Sequence, residues 1–372
     1  MFDLKILYGI GAAFILTACQ SIPQIPVTSK QTPSVEIPFV KEAQLKAAIN
    51  ISAVGDVMLG TDFPEDRLPP EDGKGLLAAA SSLLQRADIA FANLEGVLLD
   101  GGEPRKQCKN PKNCYLFRSP ARYAYHLKNA GVDVLSLANN HARDFGEAGR
   151  RATMETLAKA GLHHTGLLGD VAHLEVKGRK VAIIAFAPFA NANDMLDLER
   201  AHQVVADLSE QADIVIVSMH AGAEGDRAMR LPFADELYHK ELRGDSVAFA
   251  HRVIDAGADL VIGHGPHVPR AMELYRQRLI AYSLGNFSTF YGMKITGNNG
   301  LAPLLSVDLA DDGQFVKGQI HSFRQYRPQG SLPDVTNAAA RLMADLTRQD
   351  FPNGILNIDG NGKIELLEQS DD

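Results

Sequence analysis

From residue 48 onward the chain repeats one pattern of apolar and polar positions. An amphipathic stretch leads through a small-residue stop and an Asp into a continuous apolar run, which then ends in polar residues. GLLAAASSLLQRAD precedes IAFANLE, ARYAYHLKNAGVD precedes VLSLANNH, LSEQAD precedes IVIVSMH, and SVAFAHRVIDAGAD precedes LVIGHGPH. Apolar residues at i, i+3 and i+4 predict helices in the first member of each pair. Gly131 and Gly257 suit the left-handed conformation that ends a helix. The apolar runs predict strands covered on both faces. Further strands are predicted near 48–54 and 180–187, which makes the chain an α/β protein. No fixed period recurs, so the unit is not a solenoid repeat.

Beyond residue 278 the pattern changes. LIAYSLGNFS, LLSVDLA and FVKGQIHSF alternate apolar and polar residues, and Asp311-Asp312-Gly313 separates the last two. This predicts antiparallel neighbours. ARLMADLTRQ reads as a late helix, and GILNIDGNGKIELLE as a final hairpin turning at Asn361-Gly362. The C-terminal strands are expected to form a second sheet layer on the first. No linker divides them off, so 48–372 reads as one folded domain.

The N-terminal region follows different rules. Ile6 to Leu16 is apolar but far shorter than the roughly 20 residues of a membrane span. It ends in Leu16-Thr17-Ala18-Cys19, small residues before a cysteine, as at a bacterial lipoprotein cleavage site. Residues 1–18 are expected to be a lipoprotein signal peptide and Cys19 the lipidated residue. Residues 19–47, rich in Pro, Ser, Thr and Gln, are expected to be a linker. The implied location is that of an exported lipoprotein, anchored through its lipid to a membrane. Gln20 after the cysteine points to the outer membrane, facing periplasm or cell surface. Two other cysteines, Cys108 and Cys114, lie close together in a polar loop. In an exported protein they are expected to form a disulfide, with a pair of free thiols as the alternative.

Composition adds limits. The 372 residues carry 37 Lys+Arg against 45 Asp+Glu, a net charge of −8. An acidic chain lacks the basic footprint of general nucleic-acid binding. Apolar content of 45% is that of an ordinary globular protein, and a chain this long buries enough surface to fold without staples.

The candidate chemistry lies at the strand ends. The first strand ends in Asp56, IAFANLE in Asn93 and Glu95, and VLSLANNH in Asn139, Asn140 and His141, with Asp144 following. IVIVSMH ends in His220, and LVIGHGPH in His264 and His267. Ligands of open α/β sheets bind beyond the carboxyl ends of the strands. Carboxylate, amide oxygen and imidazole delivered to one edge of one sheet predict a divalent metal centre holding Mn, Fe or Zn, with one or two ions.

In their order and spacing these motifs resemble the calcineurin-like metallophosphoesterase superfamily and, within it, the CapA-type poly-γ-glutamate capsule biosynthesis family. The matching segments are Gly55-Asp56-Val57-Met58-Leu59, Ala92-Asn93-Leu94-Glu95, Phe117-Arg118-Ser119-Pro120, Ala138-Asn139-Asn140-His141 with Asp144, and His220 with Glu224. They continue through Gly263-His264, Pro266-His267-Val268 and Tyr282-Ser283-Leu284-Gly285-Asn286-Phe287. The resemblance spans about 49–290. It implies a four-layer α/β/β/α sandwich and a role in making, anchoring, exporting or trimming a capsule-type polymer. It also implies Asp56, Glu95, Asn140, His220, His264 and His267 as metal ligands, with His141 catalytic. The chain departs from the superfamily at Met58, where a His is usual, and from CapA relatives at Gly265, Ala221 and Gly225.

Two functions follow as expectations. One is a metal-dependent hydrolase or transferase acting on a phosphoester or a γ-glutamyl amide. In it His141, oriented by Asp144, protonates the leaving group. Arg118, Arg143, Glu224 and Asn286 contact an anionic polymer substrate. The other is a non-catalytic surface factor that binds polymer and works with capsule export partners. A 5′-nucleotidase-like enzyme would use the same centre but calls for an aromatic nucleobase clamp, which the sequence does not place.

Overall fold

Parallel strands with apolar side chains on both faces need a layer on each side, and the chain provides two such sheets. The computed structural model describes residues 49–106 and 115–367. One compact unit, Gln44–Asp372, holds all of them. The signal peptide, Cys19, the whole 19–47 linker and both Cys108 and Cys114 lie outside the described residues.

In the first sheet, β1 (Ile49–Met58), β2 (Ile89–Leu94) and β3 (Val134–Ser136) run parallel, with His163–Thr165 beyond β3. In the second sheet, β4 (Arg179–Ala187), β5 (Ile214–His220), β8 (Leu260–His264) and β9 (Arg278–Ala281) run parallel. Antiparallel strands Val171–Val176 and Met272–Tyr275 close its two sides. A separate hairpin pairs β6 (Glu236–Tyr238) with β7 (Glu241–Gly244).

Alternate residues of each strand point to opposite faces, and this divides the core into three slabs. Ile51, Phe91 and Val134 of the first sheet meet Ile183, Ile216 and Ile262 of the second between the sheets. Ala90, Ala92 and Leu135 face outward onto α1 (Ala78–Leu84), α2 (Ala124–Ala130) and α3 (Gly146–Lys159) through Ala80, Leu127 and Leu157. Ile184, Val215 and Val261 face outward onto α4 (Leu198–Ser209) and α5 (Ser246–Asp255) through Val205, Phe249 and Val253. These are the four α/β/β/α layers that the resemblance implies.

The C-terminal strands correct one expectation. They do not make a second layer. β11 (Leu301–Leu309) pairs antiparallel with β1, β12 (Phe315–Tyr326) pairs with β11, and the final hairpin extends the same sheet. β10 (Asn286–Thr289) lies parallel to the end of β1. The physical reason is that β1 has a free side opposite β2, and β11 covers it over six residue pairs from Ile49↔Leu309 to Val54↔Leu304. The second layer comes instead from the middle of the chain. Helix α6 (Ala338–Asp350) inserts Ala340, Met343 and Ala344 into the slab between the sheets.

Candidate metal centre

The end of β1 is irregular where chemistry is needed. Its register shifts against β2 between Ala53 and Asp56, and against β10 between Asp56 and Val57. Bulges of this kind re-aim a side chain. The backbone N–H of Asp56 donates to the Gly285 carbonyl at 2.9 Å. A Cβ on Gly55 would fall 1.9 Å from that same carbonyl oxygen, so only glycine admits the close approach of the two chains.

The strand-end residues are gathered from two sheets, not from one edge of one sheet. Asp56 lies near the end of a strand of the first sheet, Glu95 and Asn140 follow strands of that sheet, and His220 and His264 end strands of the second. The Asp56 carboxylate lies 3.5 Å from His264 Nδ1 and 2.9 Å from His267 Nδ1. Glu95 Oε1 lies 3.8 Å from His220 Nδ1. Asp56, Glu95 and His267 bring ligand atoms within 4.8 Å of one another. His267 takes φ +57, and its Nδ1 meets Asp56 Oδ2 at 2.9 Å.

Two asparagines that the strand ends displayed, but that were not assigned a role, hold this arrangement. Asn93 Nδ2 donates to Asp56 Oδ1 at 2.9 Å. Asn139 Nδ2 donates to Asn93 Oδ1 at 3.1 Å and to the Leu94 carbonyl at 2.8 Å. The His141 N–H donates to Asn139 Oδ1 at 3.1 Å. A line of amides therefore couples the first carboxylate to the His141 loop. Asn286 lies beneath the cluster, buried, and its Oδ1 accepts from His267 Nδ1 at 3.0 Å.

The fit to a cation rests on what these groups lack. Among the described residues, Glu95 Oε2, Asn140 Oδ1 and both ring nitrogens of His220 and of His264 are buried without a hydrogen-bond partner. Buried polar atoms are almost always satisfied, and orphaned ones are costly. Here six orphaned atoms fall on four residues that the sequence singles out as ligands. Burial works against the charge on Glu95, and with Asp56 beside it the carboxyl is pushed up to about 8. Burial likewise opposes the Asp56 charge, but His264 and His267 hold it well below the usual carboxylate range. Burial holds His220 well below its ordinary value, as the neutral imidazole that a metal takes. Two carboxylates, three imidazoles and an amide oxygen suit a divalent transition ion.

Gly265, read from the sequence as a departure from the CapA pattern, takes φ +111. A Cβ there would meet the Ala221 carbonyl at 2.8 Å and the His220 ring at 3.1 Å. The position is closed to any side chain, and the His220 ring fills the space. Met58 is likewise engaged, its Sδ accepting from the Gly60 N–H at 3.3 Å.

His141 stands beside the cluster with its own support. Its Nδ1 lies 2.8 Å from Asp144 Oδ2, and its ring packs tilted against Phe117, the centroids 4.2 Å apart. Asp144 is fully buried, accepts from the Phe117 N–H at 2.8 Å and pairs with Lys106 Nζ at 2.9 Å. A proton held at Nδ1 by Asp144 leaves Nε2 as the ring's reactive atom. Burial is the main cause lowering the His141 pKa. Asp144 opposes the shift, and Lys106 adds to it.

A cavity of about 540 Å³ opens onto these groups, lined by Asn140, His141, Glu224 and His267 and also by Lys106, Tyr238 and Arg243. Of the expected substrate contacts, Glu224 lines it. Arg118 does not; it pairs with Asp62 at 2.6 Å and lies over the rings of Phe63 and Phe145. Arg143 pairs with Glu147 at 2.6 Å, to the side of Asn140. Lys106 and Arg243 carry no periodic signal in the sequence, since they stand in a loop and a short hairpin.

A family model described as bacterial capsule synthesis protein PGA_cap matches residues 50–291. The capsule biosynthesis protein CapA of Bacillus anthracis is 27% identical over 343 residues, covering 86% of this chain and 77% of that protein. A probable polyglutamine synthesis accessory protein of Mycobacterium tuberculosis (strain H37Rv) is 30% identical over 288 residues, covering 67% of this chain and 69% of its own length. Among solved structures, the calcineurin-like phosphoesterase YfkN from Bacillus subtilis aligns with a TM-score of 0.39 at 13% identity, over 82% of this chain and 97% of that one.

Proposed function

Since this chain belongs to the PGA_cap family of bacterial capsule synthesis proteins, we propose that it processes an anionic, poly-γ-glutamate-type surface polymer at a divalent metal centre. The observation that carries this reading is the set of orphaned polar atoms on Glu95, Asn140, His220 and His264, grouped around Asp56 beside a cavity. Asp56, Glu95, Asn140, His220, His264 and His267 would hold Mn, Fe or Zn, as one ion or two. A bound divalent cation supplies Lewis-acid polarisation of the bond under attack. The chain's own residues do the rest. His141 moves a proton at Nε2, Asp144 fixes its tautomer, and the cavity wall holds the substrate. The bond cleaved or transferred is a phosphoester or a γ-glutamyl amide.

One observation favours a second reading, a non-catalytic polymer-binding factor that assists export. Met58 stands where the wider superfamily usually has a histidine and Gly265 where CapA relatives often carry one, and both places are filled by packing. Incubating the metal-loaded chain with phosphoesters and with γ-linked glutamyl peptides separates the two. The proposal expects product from one class, abolished by chelator. Retention of polymer without turnover on either class would establish the second reading instead.

The location belongs to the same proposal. Lipidation at Cys19 would anchor the domain to a membrane, with the 19–47 segment as its tether. Cys19→Ser should abolish labelling by a fatty-acid probe and release the chain from membranes. Label retained in the Ser variant would rule out acylation at Cys19.

A further inference from the structure

The cavity wall opposite His141 is formed by a hairpin whose two faces differ. Leu237 (66% exposed) and Leu242 (41%), a cross-strand pair, face outward. Glu236 and Arg243 face inward and are buried. The hairpin is fixed from below. Arg270, fully buried, holds Glu236 by two bonds of 2.7 Å, and its Nε donates to the Ala228 carbonyl. Glu236 Oε2 also accepts from the Ala223 N–H at 3.0 Å, so hairpin and Glu224 loop are tied to one pin.

Arg243 is the residue this scaffold presents to the cavity. Its side chain is 3% exposed, and its guanidinium lies over the rings of Phe189 and Tyr238, 5.1 and 5.2 Å from their centroids. Its carboxylate contacts are long, 3.3 Å to Glu224 and 3.2 Å to Glu241, and Nε has no partner among the described residues. Charge-assisted pairs of full strength close to about 2.7–2.9 Å, and a guanidinium can bind a carboxylate through two parallel bonds. Glu224 is therefore held loosely, with its other oxygen 3.8 Å from His267 Nε2. It projects from a loop in which Gly222 and Gly225 both have positive φ, and a Cβ on Gly225 would meet nothing within 4 Å.

We propose that Arg243 is the cavity's receptor for a free carboxylate of the substrate, and that Glu224 occupies this place until substrate displaces it. The proposal rests on the reading of the cavity as a polymer-processing site and names the group by which the polymer is held. A carboxylate is favoured over a phosphate dianion because Glu224, Asp226 and Glu241 in the cavity lining match Lys106, Arg243 and Lys294, which leaves no surplus cation for a second negative charge. The rings of Phe189 and Tyr238, over which the guanidinium lies, restrict the plane of the fork, a role that lysine does not reproduce.

The test is calorimetric titration of the metal-loaded full chain with a short γ-linked glutamate oligomer and with the same oligomer amidated at its free carboxyls. Wild type should prefer the acid form. Arg243→Met should weaken acid binding by about 10- to 100-fold and abolish the preference. Arg243→Lys, which keeps the charge, should lose much of it and decides the matter if the Met variant does not fold. Glu224→Gln should tighten acid binding by roughly 2- to 5-fold, because the internal competitor is gone. Arg243 variants that keep the wild-type preference would overturn this inference and leave the proposed function standing, as would weaker binding by Glu224→Gln. A wild-type chain that binds neither oligomer would overturn both.

Discussion

His141→Ala should reduce turnover by about 10²- to 10⁴-fold, the usual contribution of a positioned acid or base, and leave metal content unchanged. The reasoning is geometric. His141 spends Nδ1 on Asp144 at 2.8 Å and touches the cluster only through the backbone, by its N–H to Asn139. No ligand atom is lost with the ring. Asp144→Asn should reproduce much of the defect, because an amide can donate to Nδ1 and favour the wrong tautomer. Oδ2 serves both His141 Nδ1 and the Phe117 N–H, so an amide nitrogen placed there also forfeits the Phe117 bond. Steady-state kinetics beside elemental analysis of both variants is the check. Loss of metal with loss of turnover would place His141 among the ligands and contradict the assignment.

The second large effect has an unusual sign. His264→Leu should abolish metal binding, with affinity lost by more than about 100-fold, since even outer-shell partners of a metal account for 10- to 100-fold. Yet the metal-free variant should melt at or above the temperature of metal-free wild type. Neither ring nitrogen of His264 makes a hydrogen bond of good geometry, so the leucine removes two orphaned atoms from a buried site, while the Asp56 carboxylate, 3.5 Å from the lost ring, keeps His267 and Asn93 at 2.9 Å. Wild type, by contrast, should be stabilised by added metal by about 2.7 kcal/mol at 100 times the dissociation constant. The pH dependence has a defined direction too. Glu95, held up to about 8 by burial and Asp56, favours its neutral form in the metal-free fold. The contribution of Glu95 to the stability of that form is therefore full below the ordinary Glu range and is lost as pH rises through about 8. Thermal melts of both proteins, with and without metal, read all of this. A metal-free His264→Leu chain that melts far below wild type would show that the ring is a packing residue.

Much of this centre is legible in the sequence because strand ends are legible. Continuous apolar runs that stop at Asp56, Glu95, His220 and His264 mark both the buried strands and the edge where their side chains emerge. What periodicity does not encode is which strands are neighbours. Alternation gives a residue's face and not its partner, so the C-terminal strands were expected to stack as a new layer when they in fact cover the free side of β1. The same limit made one sheet edge out of two. Arg118, read as a substrate contact, is instead paired with Asp62 over two aromatic rings. Arg243 escaped notice because the short hairpin Glu236–Gly244 has no period, and its meaning comes from Phe189 and Arg270, distant in sequence. His267 was legible as a residue but not as a geometry. Its left-handed backbone and its contact with Asp56 have no signature in a G-H-G-P-H string.

Everything above turns on whether the cluster holds a cation. The direct measurement is elemental analysis of the purified full chain after dialysis against Mn²⁺, Fe²⁺ and Zn²⁺ in turn, beside Asp56→Ala with its fold confirmed by circular dichroism. The account predicts at least one ion per chain in wild type, for at least one of the three metals, and a sharp fall in Asp56→Ala. A wild-type chain that stays metal-free in all three would contradict it.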